Sequence, residues 1–448
     1  MVTHLFVLSG GKEMNIFYCT FGCKVNQYET ENIKQALENK QFSTVTEIID
    51  ADIAVINTCT VTSYSDLKCR KMLHKIKNTN PDCITVLTGC FPQAFSDEAE
   101  SMTECDIITG TSNKSSIPEY IDEYLVHRQR IINIQQHTKN EKFEIMSNSN
   151  IKSKTRAYMK IQDGCDQYCS YCIIPYARGH IRSKPLEIIG NEAENLANSG
   201  HKEIVAVGIN LWCYGKDLSG SVRLTDAVET ICRKAENCRV RLGSIEPEMV
   251  TDQDIERLTK LKNFCPQFHL SLQSGCDKTL KAMNRKYNCS EYEDLCNRLR
   301  KAFPDCSITT DIMVGFVGET DEDFIESMEF VKKIGFSRVH IFPYSVRKGT
   351  AAANRSGHLP KHIKNKRAAQ MNDLCKEQAD KFLQNMIGTT QEVLFEKEKS
   401  NDFHQGYTRN YTLVKVPRIS EEISLKRKIF NVLITEAAND CCIGKIIE

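Results

Sequence analysis

The chain has 448 residues, of which 41% are hydrophobic and 26% charged, so we expect a folded protein of several domains. Its 59 basic and 58 acidic residues leave a net charge of +1, which excludes a uniformly polybasic nucleic-acid binder. We find no apolar run of membrane length and no signal-peptide pattern, so we expect a cytoplasmic protein without a membrane partner. Its 21 cysteines are then reduced thiols, available as metal ligands.

Residues 1–13 carry no clear pattern, and translation could start at Met1 or Met14. From residue 14 to about residue 130, a short apolar run, a cysteine and a helical stretch recur three times. Ile16–Tyr18 precedes Cys23, Ile53–Ile56 precedes Cys59, and Ile84–Leu87 precedes Cys90. This alternation predicts a parallel α/β sheet, in which ligands lie beyond the carboxyl ends of the strands. We therefore expect the three cysteines to converge at one edge.

Residues 131–155 are mostly polar and read as a linker or a connecting strand and loop. A longer α/β region follows and defines a second domain, residues 151–386. Six strand candidates alternate there with helical stretches: Tyr158–Ile161, Ile204–Val207, Val240–Leu242, Phe268–Leu270, Ser307–Ile312 and Arg338–Phe342. This alternation predicts an open or partial barrel of parallel strands.

In residues 387–448 the alternation of strands and helices ends. This segment contains the short strand candidates Glu392–Phe395, Thr408–Val416 and Phe430–Ala437. They predict a small antiparallel barrel. The segment Tyr407–Lys428 has six basic residues against Glu421 and Glu422, a local net charge of +4. Tyr407 and Tyr411 within it could stack on nucleic-acid bases, or the segment could simply be a solvated face of the barrel.

The strongest chemical signal is the spacing of Cys165, Cys169 and Cys172, directly after a predicted strand. Three thiolates at this spacing can hold an iron–sulfur cube and leave one iron open to a chelating ligand. A zinc site would need a fourth ligand, and the spacing of nearby His180 fits no common zinc pattern. Cys19 could join Cys23 as a ligand, but its place in a strand favours a core role. The remaining cysteines are interpreted as small buried side chains.

The motif from Cys165 to Cys172 resembles the signature of radical S-adenosylmethionine (SAM) enzymes. Nearly the whole chain from Met14 is similar to the methylthiotransferases of that superfamily, and the tail resembles their RNA-binding TRAM domain. The matching motifs are Gly22–Glu29, Asn57–Thr62, Thr88–Cys90, Gly208–Leu211, Arg241–Pro247, His269–Gly275 and Met283–Arg285. Gly22–Gln27 most resembles the branch that acts on threonylcarbamoyladenosine in tRNA.

The resemblance implies two 4Fe–4S clusters, one on Cys165, Cys169 and Cys172 and an auxiliary one on Cys23, Cys59 and Cys90. It further implies SAM as methyl donor and radical source, because carbon 2 of adenine carries a hydrogen too weakly acidic for base catalysis. Candidate SAM contacts are Tyr171, Asn210, Arg241, Glu246 and Gln273. The expected reaction adds a methylthio group to carbon 2 of N6-threonylcarbamoyladenosine at tRNA position 37. A flavodoxin- or ferredoxin-like electron donor and a sulfur source are expected partners besides tRNA.

Three alternatives stay open at this point. Sibling enzymes of the same superfamily act on isopentenyladenosine in tRNA or on a ribosomal protein. A non-catalytic RNA-binding protein would use its cysteines for closed, four-ligand metal sites, whereas neither set of three cysteines has an evident fourth ligand.

Overall fold

The computed structural model of the protein describes residues 13–146, 155–396, 402–418, 424–438 and 440–447. Met1, Glu421 and Glu422, which entered the interpretation of the sequence, lie outside these residues.

The N-terminal part is built on a six-stranded parallel sheet with the order β2-β1-β3-β4-β5-β6. Its central strands, β3 and β4, are buried along their whole length, as their continuous β-branched runs predict. The predicted strands are confirmed as β1, β3 and β4, and β2, β5 and β6 extend the sheet. The strands are β1 Asn15–Thr20, β2 Ser43–Val45, β3 Ile53–Thr58, β4 Ile84–Gly89, β5 Ile107–Thr109 and β6 Ile131–Asn133. The helices are α1 Lys24–Glu38, α2 Ser63–Thr79, α3 Cys90–Ala94, α4 Ser96–Glu100 and α5 Ile117–His127.

The central part is a curved arrangement of parallel strands, and all six predicted strands are confirmed. Strands β11-β10-β7 form one sheet and β12-β13-β14-β15 another. Gly243 alone separates β11 from β12, so the chain passes from one sheet to the next in a single residue. The strands are β7 Arg156–Lys160, β10 Glu203–Val207, β11 Arg239–Leu242, β12 Ser244–Ile245, β13 Gln267–Leu270, β14 Ser307–Val314 and β15 Arg338–Pro343, with a small hairpin of β8 Gln162–Asp163 and β9 Arg182–Ser183.

The helices of this part are α6 Ile174–Arg178, α7 Leu186–Asn198, α8 Leu224–Lys234, α9 Asp252–Thr259, α10 Asp277–Ala282, α11 Cys289–Ala302, α12 Asp321–Ile334 and α13 Lys361–Gln384. Most of them cover the outer face of the partial barrel, whereas α6 packs against α3 of the N-terminal part. Short 3-10 turns lie at Ile48–Asp50, Lys114–Ser116, Leu211–Cys213, Pro247–Met249 and Ala351–Asn354. Outward side chains such as Met159, Ile204 and Phe268 belong to the largest apolar core. Because strand side chains alternate, the inward positions are left for the polar residues described below.

The C-terminal part is a closed five-stranded barrel with the order β16-β17-β18-β20-β19. Its strands are β16 Thr390–Phe395, β17 Phe403–Thr408, β18 Leu413–Pro417, β19 Ile429–Ala438 and β20 Cys441–Ile447. The expected barrel is confirmed, although its β18–β20 pair is parallel. The single strand predicted over Thr408–Val416 is wrong, because a turn interrupts it. Asn410 Oδ1 accepts hydrogen bonds from the hydroxyls of Thr408 and Thr412, and Tyr411 has a φ of 67°.

This turn docks the C-terminal barrel against the central strands. The rings of Tyr407 and Tyr411 stack on each other at 4.7 Å, and the Arg156 guanidinium lies over both. Arg409 donates to the backbone oxygens of Lys262 and Phe264. Base stacking, one of the two alternatives for these tyrosines, is disfavoured because the rings cover each other and the Arg156 guanidinium lies over both.

A buried ion-pair network joins the N-terminal part to the central part. The Glu29 carboxylate of α1 accepts hydrogen bonds from Lys114, Lys160 and Arg178, and Asp163 pairs with Lys160 and Arg178. The side chains of Glu29, Lys114 and Arg178 are fully shielded from solvent. These cations hold the pKa of Glu29 well below its usual range despite the burial that opposes ionisation. We call these five residues the interdomain network.

We predict that Glu29→Ala lowers the free energy of unfolding by about 3–5 kcal/mol, because it leaves three buried cations with too little compensating charge. Urea denaturation followed by fluorescence of Trp212, the only tryptophan and a buried residue of the central part, measures this. The matched control is Glu38→Ala at the end of the same helix, where a half-exposed ion pair with Lys34 contributes less than about 1 kcal/mol. Equal losses in both variants would contradict the role assigned to Glu29.

Candidate cluster sites and the cavity between them

The cysteines Cys23, Cys59 and Cys90 lie at one edge of the N-terminal sheet. Strands β1, β3 and β4 are immediate neighbours in the sheet. Cys59 and Cys90 directly follow β3 and β4, and Cys23 follows β1 after a short bend to precede α1. The three cysteines thus meet as the strand-end argument predicts.

Close packing and side-chain amides hold these three loops in place. A Cβ atom on Gly22, whose φ is +103°, would come within 2.6 Å of Cys59 Cβ, so only glycine allows this approach. Asn26 Nδ2 donates to the backbone oxygens of Phe21 and Thr58, which ties the start of α1 to the end of β3. The motif residues around the cysteines therefore fix where the thiols point.

Two N–H groups face the sulfur atoms of this set. Arg178 Nε lies 3.3 Å from Cys90 Sγ, and the Val61 backbone N–H lies 3.5 Å from Cys59 Sγ. Burial, with the neighbouring thiols of Cys90 and Cys23, raises the pKa of Cys59 to about 12. Three thiols with N–H donors aimed at their sulfurs are the donor set expected of an iron–sulfur cluster. The residues present fit such a group.

The second set, Cys165, Cys169 and Cys172, lies in the loop between β8 and α6, above the barrel strands. The loop is fastened to the motif Met283–Arg285: Ser170 N donates to the Met283 oxygen, and Asn284 Nδ2 donates to the Tyr168 oxygen. Gly164 has a φ of +73°, and a Cβ there would lie 1.8 Å from the His180 oxygen. Burial raises the pKa of Cys165 to about 12.

Arg285 connects this set to Glu246. Its guanidinium lies 3.3 Å from Cys169 Sγ and also donates to the Glu246 carboxylate and to Tyr287 Oη. Burial raises the pKa of Glu246, although the guanidinium opposes the shift. Glu246 directly follows β12, as predicted, and lies beside the cysteine loop.

Three more of the predicted SAM contacts lie around the same loop or at the strand ends beside it. Asn210 follows β10, and its Nδ2 lies 3.9 Å from Cys165 Sγ. The buried Asn210 Oδ1 has no hydrogen-bond partner among the described residues. Tyr171 packs edge-on against Phe316, and half-buried Gln273, with a φ of 70°, follows β13. An unpaired buried acceptor beside the thiols fits a ligand with donor groups, such as SAM.

Arg241 lies elsewhere. Its guanidinium is buried in a bidentate pair with Glu203, with both N–O distances 3.0 Å. It also donates to the backbone oxygens of Thr408 and Arg409 in the C-terminal barrel. The guanidinium groups of Arg241 and Arg156 lower the pKa of the Glu203 carboxyl to about 2, although its burial opposes this shift. Arg241 therefore connects the C-terminal barrel to the central strands. Its guanidinium is fully engaged there and does not lie beside the cysteine loop, where the sequence predicts a SAM contact.

A mononuclear metal site is not formed by either set. No three His, Cys, Asp or Glu side chains in the described part of the chain lie close enough to share one metal ion. His180 Nδ1 is engaged by Asp166 Oδ1 at 2.6 Å instead of approaching the thiols. In a 4Fe–4S cluster each cysteine binds a different iron atom. The cysteine ligands of such a cluster therefore lie farther apart than the ligands of a single metal ion.

A cavity of about 430 Å³ fills the inside of the partial barrel. It is bounded by the start of α1, by inward residues of β13, β14 and β15, and by Tyr411 of the C-terminal barrel. Cys23 lines it on one side, and Gly208 and Ser244, each two residues from Asn210 or Glu246, line it on another. The cavity thus extends from Cys23 to the carboxyl ends of β10 and β11, a size and place suited to a ligand.

The sequence prediction did not single out Arg178, Arg285 and Glu29. Arg285 and Glu29 lie within motifs that were recognised, Met283–Arg285 and Gly22–Glu29, so a signal for them was present. Arg178 lies in no such motif, and its contacts with Asn26 and Cys90 span 152 and 88 residues.

Comparison with known proteins finds a family match for the central part and another for the N-terminal part. Residues 159–331 match the Radical SAM superfamily, and residues 15–110 match a family described as Uncharacterized protein family UPF0004. A solved radical SAM methyltransferase, TsrM from Kitasatospora setae, has a similar fold, with a TM-score of 0.57 at 11% sequence identity. That match covers 76% of this chain and 77% of TsrM. The fold is therefore that of a radical SAM enzyme, a class that uses a 4Fe–4S cluster and SAM.

Relatives similar over most of their length narrow the class. The threonylcarbamoyladenosine tRNA methylthiotransferase MtaB of Bacillus subtilis (strain 168) is 35% identical, over 94% of this chain and 94% of its own. MtaB of Thermotoga maritima is 38% identical, over 88% and 89%. The tRNA-2-methylthio-N(6)-dimethylallyladenosine synthase of Clostridium botulinum (strain Loch Maree / Type A3) is 34% identical, over 96% of both chains. The chain belongs to the radical SAM tRNA methylthiotransferases.

None of the helices in the described ranges is long and apolar enough to span a bilayer.

We predict that anaerobic reconstitution loads about eight irons per chain, four for each set of three cysteines. The variant Cys165→Ala/Cys169→Ala/Cys172→Ala and the variant Cys23→Ala/Cys59→Ala/Cys90→Ala should each hold about four. Iron and sulfide analysis, with Cys232→Ala in the central core as control, measures this. Saturation of the unaltered protein at four irons would contradict the second site.

Proposed function

We propose that this enzyme transfers a methylthio group to carbon 2 of N6-threonylcarbamoyladenosine at position 37 of tRNA. The observation that carries the proposal is one cavity inside the partial barrel, with Cys23 in its wall and with Gly208 and Ser244, two residues from Asn210 and Glu246, also lining it. The relatives named for this substrate support it, and so do the charged and hydrogen-bonding residues in the cavity wall, among them Lys24, Gln27 and Arg338, which suit the polar threonylcarbamoyl group. The enzyme would act in the cytoplasm, where its tRNA substrate is found.

Cys165, Cys169 and Cys172 would hold the cluster that binds SAM. When bound, cluster and SAM supply a radical able to remove an unactivated hydrogen from adenine. Asn210 Oδ1, as a free acceptor, and the Glu246 carboxylate would orient the donor groups of SAM. Tyr171 and Gln273 would border its adenine. Arg285 keeps Glu246 beside Cys169 and donates to that sulfur, so it positions the carboxylate without needing to touch SAM itself.

Cys23, Cys59 and Cys90 would hold the auxiliary cluster, at which the sulfur to be transferred would be carried. Arg178 places an N–H on Cys90 Sγ and simultaneously binds Asn26 and Glu29. The central part thereby helps to orient a ligand of the N-terminal cluster. A flavodoxin- or ferredoxin-like protein would deliver the electrons, and a separate donor would replace the sulfur consumed.

The tRNA would contact the C-terminal barrel through the basic residues that remain exposed there. Lys426 and Lys428 are exposed, whereas Arg409 is engaged in docking the barrel to the central part. Lysines on an exposed surface can bind phosphates without regard to sequence. This barrel would therefore add affinity, and the cavity would provide the selection of position 37.

We predict different defects for the two three-cysteine variants defined above. Loss of Cys165, Cys169 and Cys172 should abolish cleavage of SAM to 5′-deoxyadenosine. Loss of Cys23, Cys59 and Cys90 should preserve that cleavage and stop methylthiolation. Chromatography of 5′-deoxyadenosine and mass spectrometry of digested tRNA separate the two steps. Methylthiolated tRNA from the N-terminal variant would show that this set does not supply the sulfur.

The substrate is tested by nucleoside mass spectrometry of tRNA from cells with and without the gene. We predict that 2-methylthio-N6-threonylcarbamoyladenosine disappears on deletion, while its unthiolated precursor accumulates. Reintroduction of the intact gene should restore it, and the variant lacking Cys165, Cys169 and Cys172 should not. Loss of the methylthio derivative of dimethylallyladenosine instead would assign the enzyme to the sibling branch.

A further inference from the structure

Two cationic side chains line the cavity without a partner in the part of the chain that the structure describes. Lys24, the residue after Cys23, and Arg338, on β15, make no side-chain hydrogen bond or ion pair with any residue in the described ranges. Both side chains are exposed to the cavity or its mouth. By contrast, the cations Arg156 and Arg241 deeper in the barrel are both paired with Glu203.

The remaining charges around the cavity do not neutralise these two cations. Asp311 is the acidic residue in the cavity wall, and its Oδ2 lies 3.2 Å from His269 Nε2. His340 lies between the charged groups, and burial lowers its pKa, with Lys24 and Arg338 both adding to the shift. The cavity therefore carries an excess of positive charge that a ligand can balance.

The position of this charge relates it to the reacting base. Lys24 adjoins Cys23, a proposed ligand of the auxiliary cluster, and Arg338, the first residue of β15, lines the same cavity. In the proposed arrangement, a base held beside Cys23 extends a substituent on its exocyclic nitrogen into the cavity, toward these cations. Gln27 and Thr309, also in the wall, offer neutral hydrogen-bonding groups beside them.

We infer that Lys24 and Arg338 form the subsite that binds the carboxylate of the threonylcarbamoyl group and so select that substrate. This inference rests on the proposed function. Of the two substituents for which the relatives are named, threonylcarbamoyl carries a carboxylate, and dimethylallyl carries neither charge nor hydrogen-bonding groups. An apolar substituent would leave both cations partly desolvated and unpaired, which is the means by which polar sites reject analogues that lack the matching group.

The experiment measures binding of anticodon stem-loop RNAs to the full-length, reconstituted enzyme without SAM, by fluorescence anisotropy. The probes carry N6-threonylcarbamoyladenosine, its methyl ester or N6-dimethylallyladenosine at position 37. The ester removes the charge and adds one methyl group, so the ratio of the two dissociation constants reports carboxylate recognition when it falls in the variants that lack the cations. We expect the unaltered enzyme to prefer the acid by about tenfold or more, the effect of one charged hydrogen bond.

Lys24→Met and Arg338→Met should each reduce this preference, and the double variant should bring the ratio near one. Arg338→Lys should retain part of it, and Lys301→Met, an exposed lysine on α11, should leave it unchanged. Lys301→Met should also match the unaltered enzyme in iron content and SAM cleavage. The iron content of the Lys24 and Arg338 variants is measured alongside, so that binding is compared between proteins that carry the same clusters.

Two failures can be told apart with the same RNAs. If the unaltered enzyme, given SAM and reductant, methylthiolates only the dimethylallyl RNA, then the proposed function is wrong and the subsite falls with it. If it methylthiolates the threonylcarbamoyl RNA but binds acid and ester equally, then the proposed function stands and the subsite is wrong. The second comparison needs no variant, so it decides the question even if a substitution impairs folding.

Discussion

The buried carboxylate of Glu29 is the interaction on which the arrangement of the two cysteine sets depends. It is provided by α1, whose first residue follows Cys23, and it is held by Lys160 and Arg178 of the central part. Removing these charges from water is costly, and the cost is offset only when all partners are present in the correct geometry. The interdomain network therefore favours one position of the N-terminal sheet over the barrel strands. Arg178 extends that control to Cys90 Sγ itself.

A second contact between the N-terminal and central parts also fixes the position of the cysteine loops. Arg347, beyond β15, donates to Thr60 Oγ1 and Asp66 Oδ2, both at 2.7 Å. Thr60 follows Cys59 directly, so the N-terminal loops are held from two sides. The cavity is consequently a joint product of three parts of the chain: α1 closes one side, the barrel strands form the wall, and Tyr411 of the C-terminal barrel contributes to the lining. A change in the docking of any part would change the space available to the substrate.

The fold was predictable from the sequence wherever local pattern and topology agree. Strand periodicity predicted six of the seven strands in the two central sheets, and the rule for carboxyl ends of parallel strands predicted the convergence of Cys23, Cys59 and Cys90. Short strands such as β2 and β5, with three residues each, carry too little pattern to be recognised. The turn at Asn410 was missed because its determinant is a side-chain hydrogen bond inside an otherwise β-rich segment.

Roles that depend on distant pairing were not predictable. Arg241 could be expected beside SAM because it lies near the end of a strand. Its guanidinium instead binds Glu203 and the carbonyl oxygens of Thr408 and Arg409. Tyr407 and Tyr411 sit in a basic segment that suggests nucleic-acid binding, but Arg156 covers their rings. That Lys24 and Arg338 have no partner among the described residues likewise emerges only from the tertiary structure. Composition gives the charges, and tertiary structure decides which of them remain unpaired.

The central claim is that two clusters face one substrate cavity from separate parts of the chain. Anomalous diffraction at the iron edge from crystals of the reconstituted enzyme tests this most directly. We expect two separate iron sites, one within the set Cys23, Cys59 and Cys90 and one within the set Cys165, Cys169 and Cys172, with the cavity between them. A single iron site, or a second site away from these cysteines, would contradict the account.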